Sequence, residues 1–98
     1  MNVRFLTIAE QEVDDVYQWF EGRTEGLGMT FLTELDRGVS RIRAFPFAGS
    51  EIEPEIRRCL LVRFPYAIIY GIDGETIIVI GIAHSRREPH YWIDRMTS

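Results

Sequence analysis

With 98 residues the chain has room for one domain built around one modest core. Its 46 % hydrophobic and 27 % charged content excludes a disordered chain, and no apolar run approaches the ~18 residues of a transmembrane helix. The net charge of −4 argues against broad, sequence-independent binding to nucleic acid, which rests on many phosphate contacts.

In chain order, residues 2–7 alternate well enough for a first strand, with Val3 and Phe5 on one face. Thr7 and Glu10 then have the spacing of a capping box. A helix is expected over 8–20, because Val13, Val16, Tyr17 and Phe20 fall on one stripe. Glu10, Glu12, Asp14 and Asp15 near its start suit the helix dipole. Three glycines in 21–28 end this helix, and a second begins by Met29 and runs to Ala44, with Phe31, Leu32, Leu35, Val39 and Ile42 as its stripe. The short link predicts an antiparallel helical hairpin. Residues 45–55 hold two prolines and a glycine and read as a loop.

Strands are expected over 56–64, 66–72 and 76–84, with Pro65 separating the first two and Asp73-Gly74 as a hairpin signal. The last two are apolar at nearly every position, as in strands covered on both faces. One helical hairpin covers one face, so the other is expected to be covered by something else, such as a partner chain. The free chain should then be poorly soluble or self-associated, and well behaved with its partner. Pro89 suits the first turn of a short terminal helix over 89–96. The fold class is therefore α+β, in the order β-α-α-β-β-β, with an antiparallel central sheet on a helical hairpin and a short C-terminal helix or tail. Residues 1–98 form a single domain in this reading.

Charge is distributed unevenly. Residues 1–55 carry five arginines and eleven acids, a balance of −6, whereas 56–98 carry six arginines and four acids, a balance of +2. There is no lysine, so every cation is a guanidinium suited to forked contacts with carboxylate or phosphate. The one cysteine, Cys59, lies in an apolar strand and reads as a small core residue. A lone cysteine and an N-terminus without a basic flank and long apolar run fit a cytoplasmic protein. Two histidines and one cysteine without paired spacing give no metal site, and no cofactor-binding motif stands out.

The element order, the run R-F-P-Y-A-I-I-Y from Arg63, the D-G hairpin and the closing H-S-R-R-E-P-H-Y-W from His84 resemble the RelE/ParE superfamily of bacterial type II toxins. The resemblance implies a cytoplasmic toxin in a hetero-oligomer with a cognate antitoxin, acting without cofactor or membrane. It leaves two activities open: the ParE-like branch poisons DNA gyrase, and the RelE-like branch cuts mRNA on the ribosome without a metal. Where the RNases carry a strand arginine this chain has Ala67, and the arginine just beyond the last strand falls on Ser85, with Arg86 or Arg87 able to serve after a shift of one or two residues. Their early strand lysines correspond to Arg58 and Leu60. The gyrase-directed branch is therefore favoured. An inert member that only binds its antitoxin is the third reading.

For an RNase, His84, Arg87 and Tyr91 are the expected catalytic residues. Target contact is expected from Arg57, Arg63, Arg86, Arg87, His90 and Trp92, with Arg57 and Arg63 on one sheet face by strand parity. Antitoxin contact is expected from Tyr17, Trp19 and Leu32.

Overall fold

Seven elements appear in the computed structural model, which describes residues 1–86 and 95. They are β1 (Asn2–Phe5), α1 (Thr7–Arg23), α2 (Leu27–Ala44), β2 (Ser50–Glu53), β3 (Ile56–Leu60), β4 (Tyr66–Asp73) and β5 (Thr76–His84). The five strands form one sheet in the order β1-β5-β4-β3-β2. The α+β class and helical hairpin are as expected, but the sheet is mixed: β1 pairs in parallel with β5, and the other neighbours are antiparallel. The expected terminal helix over 89–96 lies outside the described residues apart from Arg95.

The capping box does not form. Leu6 is the extended N-cap residue, without a side-chain cap bond, and Thr7 is already helical. The Leu6 N–H completes the β1 ladder on the Val79 carbonyl at 3.0 Å, and the Leu6 carbonyl accepts from the Glu10 N–H at 3.0 Å. The chain thus passes from strand to helix within one residue, leaving Thr7 no room to cap. At the hairpin, the Glu21 carboxylate accepts from the N–H groups of Gly26 and Gly28, both at 2.9 Å, and so caps α2 across the turn. A Cβ on Gly28 would lie 2.7 Å from the Tyr17 ring, so glycine is what lets that ring pack against the start of α2.

The segment expected to be a loop contains β2. Its hairpin to β3 turns on Pro54-Glu55, since Glu53 pairs with Ile56 and Glu55 takes φ 67°. That is a proline-first turn with positive φ at the second central residue. The β4–β5 turn lies one residue later than expected: Asp73 pairs with Thr76, and Gly74, at φ 61°, and Glu75 are its central residues.

β5 carries a bulge. Val79 pairs with Tyr70 and Gly81 with Ile69, leaving Ile80 without a partner in the register. The bulge reverses face parity. Ile77, Val79 and Ile82 pack on the helix side with Phe31, Ile68 and Tyr70, whereas Ile78, Ile80 and Ala83 pack on the opposite face with Ile56, Ala67 and Ile69. Because both faces of β5 are buried, the strand reads as apolar throughout. The second face is buried within the single chain, with Ile69 1 % and Ile80 0 % exposed. Of the two readings left open for that face, cover within the chain is the one found, which removes the reason given for self-association.

Candidate functional site

An aromatic cluster underlies one end of the sheet. Phe20 from α1, Phe31 from α2, Phe64 from the β3–β4 loop and Tyr66 at the head of β4 lie with ring centroids 4.9–6.0 Å apart, mostly edge to face. The His84 ring extends the cluster, edge-on to Tyr66 at 5.2 Å. Strand register makes this contact, since Tyr66 and His84 are paired residues at the end of the β4–β5 ladder.

Above the cluster the β3–β4 loop and the end of β5 make a rim. The two are tied by the Ser85 N–H, which donates to the Pro65 carbonyl at 2.8 Å. The Arg86 N–H donates to His84 Nδ1 at 3.2 Å, so hydrogen on the neutral ring belongs on Nε2. His84 is half-buried, while Val62, Arg63 and Arg86 are exposed. Neither the Arg63 nor the Arg86 guanidinium has a hydrogen-bond or ion-pair partner among the described residues. Arg63 takes φ 75°, a left-handed conformation costly for a side chain with a Cβ. The rim offers one imidazole, two free guanidinium groups and an exposed aliphatic side chain on a rigid aromatic base. That is chemistry suited to an acidic or phosphate-bearing partner surface.

Arg57 does not belong to this set. β3 ends at Leu60, so Arg63 is a loop residue and the parity argument pairing it with Arg57 fails. The Arg57 guanidinium donates to the carbonyls of Phe47 at 3.0 Å and Gly49 at 2.8 Å and lies 5.4 Å from the Phe47 ring centroid. It holds the α2–β2 loop. Tyr70 helps from below, donating its hydroxyl to the Pro46 carbonyl at 2.7 Å. Burial pushes the Tyr70 hydroxyl above its ordinary pKa of 10.0, aided by the neighbouring Cys59 and opposed by the Gly49 N–H contact and Arg57. Cys59 itself is half-buried rather than sealed in the core, 3.9 Å from the Arg41 guanidinium. Arg41 reaches across to donate to the Leu60 carbonyl at 3.0 Å and so ties α2 to β3.

A second concave feature lies between the helices. It is a groove of about 520 Å³ with Phe5, Val13, Tyr17, Met29, Leu32 and Leu35 in its lining, and with the carboxylates Glu10 and Asp14 beside them. Tyr17 and Leu32, two of the three residues expected to contact an antitoxin, both line it. Trp19 does not: it is exposed on α1, with the Arg23 guanidinium stacked 4.0 Å from its ring. Arg87, His90, Tyr91 and Trp92 lie outside the described residues. Among the described residues, no cluster of three or more histidine, cysteine or acidic side chains is arranged to hold a metal, and no helix is long and apolar enough to cross a membrane.

Sequence reading missed the role of Val62 and Tyr66 in this site. Their signal, a short loop joining two strands whose far ends meet, depends on the register and not on any local pattern.

A two-helix hairpin on a mixed five-stranded sheet defines a small α+β protein, here with an arginine-bearing rim and an interhelical groove. The family model for the ParE toxin of the type II toxin–antitoxin system parDE matches residues 3–89, and the chain belongs to that family. A solved structure described as the chromosomal ParDE TA system from P. aeruginosa superposes with a TM-score of 0.72. The match covers 86 % of this chain and 95 % of that one at 17 % identity, a likeness of fold. No curated protein matches the chain significantly.

Proposed function

We propose that this chain is the toxin of a type II toxin–antitoxin pair and arrests growth by binding DNA gyrase through the rim of Arg63, His84 and Arg86. The observation that carries the choice of a protein target over RNA cleavage is Ala67. Where an RNase of this superfamily would place a strand arginine, this chain has a buried alanine, 1 % exposed among Ile56, Ile69 and Ile80. No cation is available there to stabilise a phosphorane. The acidic chain also lacks the broad positive field that favours a ribosome-bound enzyme. Unpartnered arginines on a rigid base are typical anchors of protein interfaces.

A cognate antitoxin neutralises the toxin in this reading. The interhelical groove supports that part: an apolar lining with Glu10 and Asp14 beside it suits an amphipathic helix carrying basic residues. Tyr17 and Leu32 are the expected contacts, with Trp19 on the adjoining α1 surface.

The RNase alternative rests on His84, whose half-buried ring sits at the rim and could exchange a proton with a substrate hydroxyl. Controlled induction of the chain without antitoxin separates the readings. Growth arrest with filamentation and a DNA-damage response is expected. Arrest with rapid mRNA loss, abolished by His84→Ala in a folded protein, supports the RNase instead. Unimpaired growth with soluble full-length protein leaves only antitoxin binding.

A further inference from the structure

β1 supports β5 only as far as Val79, its last paired residue. The next stretch of β5, which leads directly into His84 and Arg86, would present an open edge on that side. Two side chains from distant parts of the sequence occupy it. The Ile82 N–H donates to Glu12 Oε1 at 3.1 Å, and Arg95 donates to the Ile80 carbonyl at 2.7 Å. The same two side chains are paired to each other, Arg95 to Glu12 Oε1 at 3.0 Å and to Oε2 at 3.3 Å. Both are largely buried, with 13 % of the Arg95 and 21 % of the Glu12 side chain exposed. Gly81, between the two anchored residues, makes the room: a Cβ there would fall 2.9 Å from an Arg95 guanidinium nitrogen and 3.2 Å from Glu12 Oε1. The bulge at Ile80 puts that residue's carbonyl outside the β4 ladder, where Arg95 takes it up.

We propose that Glu12, Gly81 and Arg95 form an edge clasp that positions the rim, standing in for the strand pairing that β1 does not provide. Glu12 and Arg95 are positioning residues: they touch no target and act through the backbone of β5, four residues before Arg86. The functional side of this inference rests on the rim being the target-contact surface; the clasp itself does not. The donor and acceptor roles are specific. Ile82 needs an acceptor and Ile80 a donor, so an ion pair of reversed sense cannot replace the clasp.

The test is amide hydrogen exchange of the purified full-length chain, read at Ile82, Ser85 and Arg86, with growth arrest on induction measured in parallel. In Glu12→Ala and in Gly81→Ala, exchange at all three amides should speed up by about fivefold or more, the factor worth one net hydrogen bond. Glu12→Gln, which keeps the acceptor oxygen, should remain close to the parent. The exchanged pair Glu12→Arg with Arg95→Glu should stay as fast as Glu12→Ala, whereas simple ion-pair stabilisation would restore slow exchange. Gly81→Ala leaves every charge in place and guards against misfolding of the Glu12 variants. Growth arrest should weaken in step with rim exchange. If only Ile82 speeds up and Ser85 and Arg86 do not, or if the exchanged pair restores protection, the clasp does not position the rim. If the parent chain causes no arrest, the toxin reading fails, and the exchange rates still decide the clasp.

Discussion

The two ends of the sheet use arginine in opposite ways. At one end Arg57 is largely buried, with 23 % of its side chain exposed, and it holds two backbone carbonyls and the Phe47 ring of the α2–β2 loop, with the Glu51 carboxylate 3.9 Å away. At the other, Arg63 and Arg86 stand exposed beside a fixed aromatic base, their guanidinium groups without a partner among the described residues. Residue type alone makes these three equivalent candidates for target contact. Partnering separates them: a guanidinium that already serves two carbonyls has less left for another molecule, and one held on a rigid base without such bonds loses little entropy on binding.

The largest expected effect of that division is on stability at the Arg57 end. Arg57→Ala removes two charge-assisted bonds and leaves two carbonyls to find water, a loss of about 2–4 kcal/mol in urea unfolding. Toxicity should fall only as far as the folded fraction does. An Arg57→Ala protein of parental stability that has lost its toxicity would reverse the assignment.

Tyr70→Phe sharpens the same end. It should cost about 0.5–1.5 kcal/mol near neutral pH through loss of the bond to Pro46. Because burial raises the folded-state pKa of this hydroxyl, its contribution is complete below the unfolded value of 10.0 and is lost as pH rises beyond it. The parent should therefore lose stability more steeply than Tyr70→Phe above about pH 10, measured as Tm against pH.

The smallest effect on stability, and the sharpest on function, belongs to Arg63→Gly. Glycine takes φ 75° without strain, so stability should hold or rise by up to ~1 kcal/mol. Target affinity should nevertheless fall about tenfold or more with the lost guanidinium. Unchanged affinity would remove Arg63 from the rim.

Helical stripes were legible because Val13, Val16, Phe20, Phe31, Leu35 and Ile42 recur at the period of a helix and do pack against the sheet. The β4–β5 hairpin was legible from glycine in a tight turn. β2 was hidden because four residues, S-E-I-E, carry too short an alternation to outweigh two flanking prolines, although Pro54 itself builds the turn. The parallel pairing of β1, the Ile80 bulge and the self-covered second face follow from register, which no local pattern encodes. Most of all, Glu12 read as a dipole-matching surface acid. Its partners are 70 and 83 residues away, and only the folded chain brings them together. The rim was half-legible: Arg63, His84 and Arg86 were all candidates in the sequence, but strand parity tied Arg63 to Arg57, and the fold instead sets it in the β3–β4 loop and turns Arg57 to the α2–β2 loop.

The measurement that bears most directly on the rim is DNA cleavage by purified gyrase in the presence of the parent chain and of its Arg63→Ala/Arg86→Ala variant. Both should unfold within about 0.5 kcal/mol of each other, since neither side chain has a partner to lose among the described residues. The account predicts trapped, cleaved DNA with the parent and little or none with the variant. Equal trapping by both proteins, or none by a folded parent, would contradict it.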